Sequence, residues 1–178
     1  MIILGVDPGT QNTGFGIIKF KDNLISYIHS GVIVLPKQNT IPQKLEIIYN
    51  ELNKIIKRYK PDEFSLETAF YGKNVQSALK IGYARGVAML ASSLNGLNVG
   101  EYSPREVKKS VVGNGNASKE QVQFMIMKLL SLNEKKMKFD ETDALAVACC
   151  HAFNIKNPVK RAGSWKKFVE ENPDLVEN

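Results

Sequence analysis

The chain has 178 residues, 43% of them hydrophobic and 24% charged, enough for one globular domain with a substantial core. Its formal net charge is +6, and a basic balance of that size points to a polyanion partner, nucleic acid first. The opening MIILGVDPGT has no basic leader and no run approaches ~18 apolar residues, so neither a signal peptide nor a membrane span is expected, and a cytoplasmic protein is. Cys149 and Cys150 are adjacent within an apolar run from Ala144 to Ala148 and read as small buried hydrophobes. With two histidines and no C-x-x-C pair, a structural zinc site is not expected.

In chain order, Ile2 to Val6 is a short apolar run that reads as a buried central strand, closed by the turn signal Asp7-Pro8-Gly9-Thr10. Thr13 to Lys19 and Leu24 to Leu35 complete a three-stranded antiparallel meander. From Pro42 the period changes: Leu45, Ile48, Leu52, Ile55 and Ile56 mark an amphipathic helix ending near Tyr59-Lys60, before Pro61. Phe64 to Glu67 is a fourth strand, Asn74 to Leu94 a long helix, and Leu97 to Tyr102 a fifth strand. Ser103-Pro104 caps and starts a short helix. Two more helices follow, Ser118 to Leu130 and Asp140 to about Asn154. This order predicts an α/β fold with a mixed five-stranded sheet, three antiparallel strands then α-linked strands, and helices on both faces. Residues 1–157 are read as the domain and 158–178 as a polar tail.

Four acids stand out. Asp7 and Glu67 each end a strand, and in this topology those strands lie side by side, at the sheet end where open α/β folds place their sites. Asp140 and Asp143 open the last helix, and their spacing of three puts them on one face. A turn residue accounts for Asp7 equally well, and a helix cap accounts for Asp140. Asp143 fits a cap less well, because its face continues through Val147 and Cys150. Like charges ~4 Å apart repel by roughly 4 kcal/mol at an effective dielectric of 20. Cations resolve that repulsion, and a pair of Mg²⁺ ions accounts for all four acids.

The runs ILGVDPGTQNTGFGII, SLETAF, KNVQSALKIGYARGVA, SPREVKKSVVGNGNASKEQV and DETDALAVACCHA resemble, in this order, the RuvC-type Holliday junction resolvases, from Met1 to about Phe153. The resemblance implies a ribonuclease H-like fold and a metal-dependent endonuclease that resolves four-way DNA junctions in recombination and repair. It implies that Asp7, Glu67, Asp140 and Asp143 hold two Mg²⁺ ions, with Mn²⁺ able to substitute. It implies that Lys108 and Lys119 approach the cleaved phosphate and that Phe70 stacks on a base at the opened crossover. It implies a homodimer making symmetric nicks, in cooperation with a RuvA–RuvB branch-migration machine.

Read without the resemblance, Lys108 and Lys119 suit either a phosphate contact or a solvated helix face. Phe70 and Tyr71 suit either a stacking platform or a core lid. Lys73, Lys80 and Arg85 line a DNA groove or are plain surface, and Lys109 and Tyr71 sit beside DNA-contact positions. Gly82 and Gly86, four apart, would permit close helix packing, across a dimer for instance. His151 reads as a core-edge helix residue without catalytic use. Two rival functions are an ATP-binding protein built on the same hairpin, which needs a second such domain, and a junction binder that does not cut. A third is a nuclease of the same fold acting on another nucleic acid, such as an RNA–DNA hybrid.

Overall fold

The computed structural model describes residues 1–68, 75–132 and 135–156. Five strands form one sheet in the order β3-β2-β1-β4-β5: β1 Ile2–Asp7, β2 Asn12–Lys21, β3 Leu24–Val34, β4 Glu63–Glu67 and β5 Asn98–Tyr102. The first three pair antiparallel, and β4 and β5 run parallel to β1, as the sequence predicts. The helices are α1 Ile41–Tyr59, α2 Val75–Leu94, α3 Pro104–Val112, α4 Lys119–Leu129 and α5 Phe139–Lys156.

Strand alternation sorts the residues between two layers. Leu4, Val6, Phe15, Ile17, Phe64 and Leu66 face α1 and α2 and form one core with Ile48, Leu52, Ala84 and Ala88. Ile3 and Ile18 face the other way and join Val107, Val111, Val122, Ile126 and Leu145 of α3, α4 and α5. The same alternation turns Asp7 and Glu67, in phase with Ile3 and Ser65, toward the α5 layer. Cys149 and Cys150 are fully buried in that layer. His151 is buried there too, where its Nδ1 meets the Tyr102 hydroxyl at 2.8 Å and its ring occupies the space that a side chain at Gly100 would need.

The ends of several elements differ from the sequence reading, for local reasons. Asp7 stays within β1 because it pairs with Gly14, and β2 extends to Asn12 and Lys21 through pairs with Val34 and Leu24. Asp22 and Asn23, both with positive φ, make the two-residue turn that joins β2 to β3. In α3 and α4 the expected starts are built as capping boxes: Glu106 accepts from the Ser103 amide at 2.7 Å and Gln121 from the Ser118 amide at 2.8 Å. Those boxes fix the first turns that carry Lys108 and Lys119 into place.

The α5 helix lies unusually close to the sheet. At Gly5 an added Cβ would meet the Ala144 carbonyl and, at 2.7 Å, the Ala148 amide. At Gly14 it would collide with the Asp140 backbone. Both obstacles are main chain and cannot step aside. Gly5→Ala is therefore expected to lower stability by about 1–3 kcal/mol through overpacking. Urea denaturation measures this, and a loss below about 0.5 kcal/mol would mean that α5 can simply lift away.

Candidate active site

Asp7 and Glu67 end adjacent parallel strands and share a side-chain hydrogen bond on the α5 face. Asp140, in the first turn of α5, and Asp143, at the start of the second, reach the same sheet end, where Gly14 admits the helix to close range. Asp140 is not the helix cap: the capping contact is made by Glu141, whose carboxylate accepts from the Lys138 amide at 3.0 Å. The Asp140 carboxylate instead accepts from the Asn12 side chain at 3.3 Å. The Asp143 side chain is only 15% exposed and is paired with Lys119 at 2.8 Å.

A cavity of about 260 Å³ opens beside these acids, lined by Glu67, Asp143, Lys108, Lys119, Pro104 and Val107 among others. Four of the six residues read as catalytic, Glu67, Asp143, Lys108 and Lys119, line this cavity; Asp7 is bonded to Glu67 beside it, and Asp140 is held by Asn12 of β2. Lys109 faces a separate cleft with Arg105, Glu106 and Asn114. Arg85 is ion-paired with Glu101 of β5, so its guanidinium braces α2 against the sheet. Lys80 lines a small crevice with Thr10 and Lys44 on the opposite layer. Phe70, Tyr71 and Lys73 lie outside the described residues, as does the tail from 158. Asn12 is the site residue that the sequence reading passed over. It stands in the same hairpin as Asp7, five residues on, and only the fold aims it at α5.

Burial, then the neighbouring Asp7 charge and the bond between the two, holds the Glu67 carboxyl well above its ordinary range. Burial also raises Asp7, with Asp143 and Asp140 adding repulsion, while the bond from Glu67 and the Lys119 charge pull the other way. The pair thus holds a proton at neutral pH in place of a second negative charge. The bond to Asp143 raises the Lys119 pKa and keeps its ammonium charged. Among the described residues, no three acidic, histidine or cysteine side chains close into a metal cluster; Lys119 and Asn12 engage the two α5 acids instead. The donors are all oxygens, the set that suits a hard divalent cation.

Fold and site together define a ribonuclease H-like protein whose acidic centre sits at the sheet end. The family model for crossover junction endodeoxyribonuclease RuvC matches residues 3–151. A crossover junction endodeoxyribonuclease RuvC from Chloroherpeton thalassium is 45% identical, over 99% of both chains. That from Idiomarina loihiensis is 45% identical over 94% of this chain and 96% of its own. Among solved structures, Thermus thermophilus RuvC in complex with Holliday junction substrate superposes with a TM-score of 0.81 at 29% identity, covering 88% of this chain and 95% of that one. The yeast mitochondrial Holliday junction resolvase Ydc2, at 13% identity and a TM-score of 0.64 over 97% of this chain and 83% of its own, shares the fold. The chain belongs to the RuvC family of crossover junction endodeoxyribonucleases. The readings as an ATP-binding protein and as a binder that does not cut give way to it.

The shared proton makes stability pH-dependent in a definite sense. Carboxyls raised in the folded state bind protons that the unfolded chain has released, so stability is highest at low pH and is lost as pH rises through the folded values. Metal-free protein should lose up to about 1.4 kcal/mol per pH unit per proton, from roughly pH 4 up to the raised Glu67 value of about 9. Thermal melts in a chelating buffer measure the slope. Glu67→Gln should flatten it, and an identical slope in that variant would place the proton elsewhere.

Proposed function

We propose that this chain resolves four-way DNA junctions by metal-dependent hydrolysis of phosphodiester bonds, with its active site at Asp7, Glu67, Asp140 and Asp143. The observation that carries this reading is a cavity at the sheet end lined by Glu67, Asp143, Lys108 and Lys119, with the buried Asp7 bonded to Glu67. Nucleases of this family depend on a divalent metal ion. The four carboxylates would hold two Mg²⁺ ions here, Mn²⁺ substituting, and these would supply an activated water and charge stabilisation at the leaving oxygen.

This chain's own residues do the remaining work. Asp7 and Glu67 give up their shared proton when cation charge replaces it. Lys108 and Lys119 bring ammonium groups to the rim of the cavity, where they neutralise the phosphate and the charge that grows on it. Pro104, Val107, Val122 and Ala146 form the apolar part of the wall and limit water around the reacting group. Phe70 would stack on a base at the opened crossover, with Tyr71, Lys73 and Lys109 as further DNA contacts.

A homodimer would present two such sites to opposed strands and so make symmetric nicks. Its support here is the outer face of α2, where Val75, Leu79, Tyr83, Leu90 and Leu94 are all exposed at helical spacing. At Gly82 and Gly86, on the same face, a Cβ would meet nothing within 4 Å. No helix among the described residues is long and apolar enough to cross a membrane. The domain of residues 1–157 would act on cytoplasmic DNA, beside a RuvA–RuvB branch-migration machine.

Cleavage of a synthetic four-way junction in Mg²⁺ tests the reading. Asp7→Asn keeps the shape and removes one charge, so cutting should fall by more than about a hundredfold while junction affinity is retained. Turnover near the wild-type rate would remove Asp7 from the site. For the dimer, Leu79→Glu should shift sedimentation from two chains to one; an unchanged dimer would move the interface elsewhere.

A further inference from the structure

Between the two acids of α5 stands a third, Glu141, and its partners lie on the edge strand rather than in the site. Ser30 of β3, buried, donates its hydroxyl to Glu141 Oε1 at 3.1 Å. The other oxygen, Oε2, accepts from the Lys138 amide at 3.0 Å. The Ser30 hydroxyl is also 3.2 Å from that of Tyr27, and Lys135 lies over the Tyr27 ring, 4.4 Å from its centroid. A chain of contacts therefore runs from the edge strand, through Glu141, to the first turn of α5.

Helix geometry gives this chain its consequence. Successive residues turn by about 100°, so Asp140 and Asp143 share a face while Glu141 points aside toward β3. Asn12 of β2 holds Asp140 from the other side. Two ties on either side of this end of the helix add to the close packing at Gly5 and Gly14 in resisting its rotation about the helix axis. A rotation of about 20° would carry a carboxylate at ~5–6 Å from the axis through roughly 2 Å, about the length of an entire metal–oxygen bond.

We propose that Glu141 and Ser30 are positioning residues that set the rotation of the N-terminal end of α5, and with it the approach of Asp140 and Asp143 to a divalent cation. The proposal rests on the metal reading of those acids. It gives Glu141 no contact with DNA or with the reacting phosphate: its role is exerted through its two neighbours.

The test uses Ser30→Ala, Glu141→Ala and Glu141→Gln in the full chain, with Mn²⁺ titrated calorimetrically in the absence of DNA. Ser30→Ala and Glu141→Ala should weaken Mn²⁺ binding by about 10–100-fold. The Mg²⁺ concentration for half-maximal junction cleavage should rise by the same factor, the rate should recover at saturating Mg²⁺, and junction affinity should stay constant. Glu141→Gln keeps one acceptor and should fall between. A folded variant whose rate falls equally at all Mg²⁺ concentrations, with Mn²⁺ binding unchanged, would overturn the proposal for that residue. Ser30→Ala, the smallest change, carries the test if Glu141→Ala fails to fold. Wild-type protein that takes up no Mn²⁺ would overturn the metal reading and this proposal with it. Wild-type binding matched within twofold by Ser30→Ala would overturn the tether alone.

Discussion

The packing of α5 against the bare backbone of β1 and β2 is the constraint on which the site depends. A helix normally rests on the side chains of the sheet it covers. Here Gly5 and Gly14 remove the side chains along its path, and the α5 main chain at Asp140, Ala144 and Ala148 fills the space. The apolar run from Ala144 to Cys150 is fully buried as a result. Aspartate is a short side chain. Only a helix this close brings Asp140 and Asp143 to the end of β1, where Asp7 already stands in the phase that faces them.

What the helix gathers, electrostatics resists. Asp7, Glu67, Asp140 and Asp143 cannot all be charged at close range without a counter-charge. In the metal-free chain three devices meet that demand: a proton shared by Asp7 and Glu67, the Lys119 ammonium on Asp143, and the Asn12 amide on Asp140. On the proposed metal reading, each would give way to a divalent cation.

Much of this was legible in the residues. Strand order followed from the apolar runs and from the need for helical crossovers between parallel strands. The ends of β1 and β4 put Asp7 and Glu67 at one sheet end, and Ser103 announced the cap of α3. Three things were not legible. The cap account of Asp140 was sound chemistry, but Glu141 one residue later takes the Lys138 amide, and a local rule could not rank two adjacent acids. Arg85 gave the same signal as a DNA-facing cation until β5 brought Glu101 against it. Asn12 and Ser30 are ordinary polar strand residues whose partners lie 128 and 111 positions away, so no local pattern could contain them.

The central claim is that α5 brings its two acids to the Asp7–Glu67 pair so that all four bind divalent cations together. Crystals soaked in Mn²⁺ and measured at the manganese absorption edge test it directly. The account requires anomalous peaks at the end of β1, within bonding distance of Asp7, Glu67 and at least one of Asp140 and Asp143, with Lys119 withdrawn from Asp143. Manganese bound elsewhere, with the Lys119–Asp143 pair intact, would contradict it.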